Sequence, residues 1–139
     1  MRNRDLAHDY VRRAGVRLLA IDVLFEGESW ADVVRESQEA VELALKGLLR
    51  ASGIDPPRIH DVSDVLLEHR ARLPAGLSGD VERLAKISKR LRRDRELAFY
   101  GTEDLTPSDF YSKDDAEEAR DEARFVIEGV TRFVPRADH

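Results

Sequence analysis

Apolar residues in this chain recur at the 3.6-residue period of an α-helix, and no segment alternates convincingly at period 2. That restricts the fold to helices packed on helices, because no stretch presents the one-sided apolar face a strand needs. Gly, Pro and Ser positions cut the periodic run into segments. The first helix is expected from about Asp5 to Phe25, with Tyr10, Ala14, Leu18, Ile21 and Phe25 as its main stripe. At about 100° per residue, Val16, Leu19 and Val23 form a second apolar row on nearly the opposite side. A helix apolar on two sides is either central to its bundle or shared with a second subunit. In a chain of 139 residues the shared face, and hence a homodimer, is the favoured expectation.

"FEGES" ends the first helix, and Ser29 with Asp32 has the spacing of a capping box. The second helix carries Trp30, Val34, Ser37, Val41, Ala44, Leu45 and Leu48 and closes near Gly53. "GIDPPRIHD" predicts a rigid loop, after which Asp61 is expected to cap a short third helix containing Val62, Val65 and Leu66. "RLPAGLSG" breaks the pattern again, and a fourth helix is expected from about Asp80 to Phe99. "YGTEDLTPSDFYS" reads as a long loop. Ser112 with Asp115 then caps a last helix carrying Ala116, Ala119, Ala123, Ile127 and Val130. The expectation is a single all-α domain over residues 1–139, an antiparallel bundle of about five helices.

The composition agrees: 42% hydrophobic and 37% charged residues exclude a disordered polar chain, which lacks the apolar residues to offset ordering entropy. With no cysteine there is no disulfide, thiol nucleophile or zinc–thiolate site. His8, His60, His69 and His139 show no metal-ligand spacing, so neither a metal nor a cofactor is expected. No apolar run approaches a membrane span, and the charged N-terminal stretch lacks the core of a signal peptide. A cytoplasmic protein with no membrane partner is expected. The net charge of −5 disfavours sequence-blind coating of DNA but leaves room for a local basic site.

That local site is the fourth helix. Val81, Leu84, Ile87, Leu91, Ala98 and Phe99 fall within roughly 60° of one direction on a helical wheel. Ser88 and Arg95 fall in the same sector. A guanidinium in an apolar stripe stays charged, so it must be paired or face a ligand. Two outcomes are open: an ion pair with a carboxylate such as Glu42, or a cleft in which Arg95 meets a phosphate. Lys86, Lys89, Arg90, Arg92 and Arg93 make "KISKRLRRDRE" the most basic part of the chain. They either guide an anionic partner towards Arg95 or form a solvated face balanced by the acids that follow, from Glu103 through Glu122.

"EAVELALKGLL", "HDV" and "RELAFYG", in that order and spacing, resemble the HEPN family of small helical proteins over nearly the whole chain. In that correspondence Glu42 and Lys46 match the family's second helix, His60 the loop opening its third, and "RELAFYG" its signature. The resemblance implies a bundle that dimerises by pairing signature helices across a shared cleft. It also implies a frequent partnership with a minimal nucleotidyltransferase, as toxin and antitoxin. Catalytic members are metal-independent ribonucleases whose signature is Arg, four to six residues, then His, with a polar residue after the Arg. There the Arg stabilises charge on the scissile phosphate and the His moves protons. Carried over, the Arg is Arg95 and its polar neighbour Glu96, but the positions for His, Tyr100 to Thr102, hold none. A phenol of pKa near 10 is a poor base at neutral pH. Arg2 with His8 matches the spacing formally, at a terminus where fraying is expected. Tyr100 either stacks on a base beside Arg95 or packs over the turn, and Gly101 is a natural helix-ending residue.

Three functions follow from these residues. The first is a homodimer whose cleft binds a nucleotide or RNA without efficient catalysis, through Arg95, Tyr100, Ser88, Arg92 and Glu96, with Glu42, Lys46, His60 and Gly101 in structural support. The second is a ribonuclease with a base other than His. The third is a purely structural dimer in which Arg95 pairs internally with Glu42 or Asp22.

Overall fold

The second helix is buried almost all round and organises the rest. The computed structural model describes residues 2–58, 62–100 and 106–134, with side chains for all of these except 2–3 and 94–100. Within them lie α1 (Arg2–Glu26), α2 (Trp30–Ala51), α3 (Ser63–Glu68), α4 (Val81–Tyr100), α5 (Pro107–Phe110) and α6 (Lys113–Thr131). Short 3-10 turns at Arg70–Arg72 and Ala75–Leu77 occupy the "RLPAGLSG" break, and no strand occurs among the described residues. The fold is the expected all-α bundle, with four long helices and two short ones.

Buried positions run round α2: Val33, Val34, Ala40, Val41, Ala44, Leu45, Leu48 and Leu49 are at most 2% exposed. α1 and α6 pack along it, and α4 covers a third side. The contact with α1 is close because of Gly47. A Cβ there would lie 2.8 Å from Val11 Cγ2 and 3.1 Å from the Ala7 carbonyl oxygen. α6 presents Ala116, Ala119 and Ala123, whose small side chains are all buried at 1% exposure or less.

The turn between α1 and α2 is a Schellman motif. The Ser29 N–H donates to the Leu24 carbonyl at 3.0 Å, and the Glu28 N–H to that of Phe25 at 3.0 Å. Glu28 rather than Gly27 takes the left-handed conformation, with φ of 59°. The same motif closes α2, where Gly53 has φ of 74° and the Ile54 N–H donates to the Leu49 carbonyl at 2.9 Å.

Of the two readings of α1 the central one is excluded: α1 lies on the flank and α2 at the centre, and Val16, Leu19 and Val23 are 52%, 67% and 70% exposed, so the second apolar row is not covered by the described residues. Several local expectations change. Ser29 makes no side-chain cap to the backbone; its hydroxyl donates to Asp32 Oδ2 at 2.6 Å instead. The Ser29 N–H is already donated to the Leu24 carbonyl in the turn that ends α1, so Asp32 has no such donor to reach back to. Asp61 lies outside the described residues, and Val62 is the N-cap of α3. Inside the stretch read as a long loop, Thr106 caps a short helix, accepting from the Asp109 N–H at 3.3 Å, with Pro107 in its first turn. At α6 the capping box is complete: Ser112 Oγ accepts from the Asp115 N–H at 3.3 Å, and the Ser112 N–H donates to Asp115 Oδ2 at 2.8 Å.

Candidate functional site

α4 separates into an inward and an outward half. Val81, Leu84, Ile87, Ser88 and Leu91 are no more than 4% exposed and face α2 and α3. The register of that stripe runs on to Arg95, whose side chain, with those of Glu96 and Tyr100, lies outside the described ones. Gly101 and His60 also fall outside the described residues.

Ser88 sits where the wheel placed it, in the apolar stripe, and is 4% exposed. Its hydroxyl accepts from the Val62 N–H at 3.2 Å, so it supplies the partner that the first turn of α3 would otherwise lack. Ser88 therefore ties α3 to α4 and is not open to a ligand. Glu42, 8% exposed, is reached by Lys46 Nζ at 2.9 Å, one turn further along α2. Asp22 belongs to a different seam, where Arg124 approaches it at 3.3 Å and Arg120 at 3.7 Å. Arg92 is half-buried and engaged within the chain. His69 is half-buried as the residue closing α3, and His8 lines a groove along α1.

On the outward half, Arg83, Lys86, Lys89 and Arg93 are exposed. Lys86 and Lys89 have no ion pair among the described residues. Arg90, by contrast, is held by Glu122 and, at 3.4 Å, by Glu118, both on α6. Arg83 lies over the Phe125 ring at 3.7 Å. Both readings of the basic cluster thus have a share: part of it is neutralised by α6, and part stays open to an anion. Burial raises the Glu122 carboxyl above its ordinary range, and the Arg90 guanidinium offsets this only in part. Sequence reasoning missed this seam. Its signal was the i, i+4 pair Glu118 and Glu122, which places two carboxylates on one face of a helix.

Among the described residues no group of three or more His, Cys, Asp or Glu side chains could hold a metal ion. No helix described is long and apolar enough to cross a membrane.

The family model of the HEPN domain matches residues 7–133. The chain belongs to the HEPN family. That match takes in every long helix of the bundle, from the first turns of α1 to the end of α6. In this HEPN domain α2, which carries Glu42 and Lys46, packs directly against α4. No curated protein and no solved structure matches the chain.

Proposed function

We propose that this HEPN domain acts as a homodimer whose α4 helices pair across a shared cleft, and that Arg95 binds a nucleotide or RNA there without efficient cleavage. The observation carrying this reading is the division of α4. Its inward stripe anchors the helix to α2 and α3 and runs in register to Arg95. Its outward Lys86 and Lys89 stay exposed and unpaired among the described residues. A fixed helix with a cationic outer face suits an anionic polymer, which the overall charge of −5 would otherwise repel. Tyr100, Glu96 and Arg92 complete the candidate surface, and Ser88 supports it from beneath. Absence of His at the signature spacing argues against the family's usual proton transfer. A toxin–antitoxin role, with a minimal nucleotidyltransferase as partner, is the setting this reading implies.

One observation favours a second reading, a structural dimer. Glu42 is a carboxylate buried on α2, which packs against α4, and a cation in the inward stripe of α4 would join its pair with Lys46. The experiment separating the readings is incubation of purified protein with RNA in chelator, alongside Arg95→Ala. Binding without cleavage, weakened in the variant while the fold persists, supports the proposal. Cleavage that survives chelation and vanishes in the variant supports a ribonuclease, and Tyr100→Phe is then the next test of its base. No retention by either protein, with the variant destabilised by about 3–5 kcal/mol as for a broken buried pair, supports the structural dimer.

A further inference from the structure

α1 carries an apolar seam that the bundle leaves uncovered. Arg12, Val16, Leu19, Val23 and Glu26 follow one another at intervals of four, three, four and three residues, the average of 3.5 that defines a coiled-coil seam. All five are exposed, the three apolar ones by 52%, 67% and 70%. Three such side chains aligned along one helix are a patch, unlike apolar residues scattered singly over a surface.

The seam is complementary to its own reverse. Read from either end it places a charge, a valine, the leucine, a valine and a charge, and the two terminal charges are opposite. We propose that this face is a two-fold contact with a second copy of the chain, the two α1 helices crossing antiparallel at Leu19. In that register Leu19 meets Leu19 of the second copy. Arg12 meets Glu26, and Val23 faces Gly15 with Val16 beside it, each twice over. A parallel pairing would set Arg12 against Arg12 and Glu26 against Glu26, which like-charge repulsion disfavours. Neither Arg12 nor Glu26 has an ion pair among the described residues, so both are available for this contact.

Two further observations fit the same register. Gly15 costs a helix interior about 1 kcal/mol relative to alanine, and a Cβ placed there would meet nothing within 4 Å. Its place in the antiparallel register is opposite Val23 of the second copy, where a missing side chain lets the helices approach. Beside it, a groove of about 800 Å³ runs between α1 and the end of α6, lined by Val11, Gly15, Val16, Leu19 and Val134. That groove receives the last turns of the second α1.

The contact does not rest on the α4 reading. α1 and α4 pack against different sides of α2, so each contact can form or fail alone. The test is sedimentation velocity at tens of micromolar on the wild type and Leu19→Glu. The expected result is a fall in assembly mass by half or more, with helical content and melting temperature unchanged because Leu19 is exposed. RNA retention by the α4 face persists, or is absent from both proteins. The chain has no cysteine, so single thiols report orientation. Leu19→Cys should cross-link to itself on mild oxidation. Arg12→Cys and Glu26→Cys should cross-link when mixed and not alone. A monomeric wild type, an assembly whose mass Leu19→Glu leaves unchanged, or self-linking of Arg12→Cys would each overturn the proposal.

Discussion

Glu28 pays a conformational cost that its neighbour Gly27 would have avoided. At φ of 59° a non-glycine residue is held in the left-handed region, at roughly 1–2 kcal/mol. Glu28→Gly removes that strain, and the greater freedom of glycine in the unfolded chain returns only part of it. A net gain of about 0.5–1 kcal/mol is expected, read as a higher midpoint in urea. Gly47 shows the opposite balance. Alanine is the better helix former by about 1 kcal/mol. Its methyl would nonetheless press on Val11, a stiff β-branched side chain, and on the Ala7 carbonyl. Overpacking of this kind costs about 1–3 kcal/mol, so Gly47→Ala should lower the midpoint. Gly129→Ala is the control: a Cβ at Gly129 meets nothing within 4 Å, and helix propensity alone should raise stability.

At the scale of elements, the seam between α4 and α6 sets a pH dependence. The Glu122 carboxyl is raised from the ordinary value of 4.5, chiefly by burial, so folding favours its neutral form. Its contribution is therefore fully present below the unfolded value and is lost as pH rises through the folded one. Glu122→Gln mimics the neutral form at every pH. The melting temperature of Glu122→Gln relative to wild type should become more favourable from pH 4 to pH 7. A difference that moves the other way would mean that attraction to Arg90 outweighs desolvation. Elements also differ in how they are started. α6 and α5 obey their sequence signals, Ser112 with Asp115 and Thr106 with Pro107 and Asp109. The second of these was hidden within a stretch rich in loop residues. Ser29 with Asp32 has the same spacing, but the Ser29 N–H is given to the Leu24 carbonyl and its hydroxyl makes no cap to the main chain.

Over the whole molecule, net negative charge and a basic helix are opposed, which makes any binding of RNA local and sensitive to salt. Reversing Lys86 and Lys89 together should weaken RNA retention. It should also reduce the dependence of log K on log salt by about one per lost phosphate contact, with melting unchanged. Retention and slope that both stay fixed would place the RNA elsewhere. Both lysines are exposed on α4, so loss of fold does not confuse the result.

The bundle, its long helices and most of its buried stripes were legible in the chain alone. Apolar periodicity is a local property that any helix expresses before it packs. The HEPN family was legible for a related reason, since Glu42, Lys46 and "RELAFYG" stand in order along the sequence. Which helix is central was not legible. α1 shows two apolar rows, yet α2 takes the centre, because Gly47 and the alanines of α6 let neighbours approach it on several sides. Nor could a wheel show that Ser88 would be consumed by the Val62 N–H, or that Arg90 would meet Glu118 and Glu122. Those partners lie more than twenty-five residues away in the chain. Spacing within one helix determines which side chains share a face; only the packing of helices decides what that face meets.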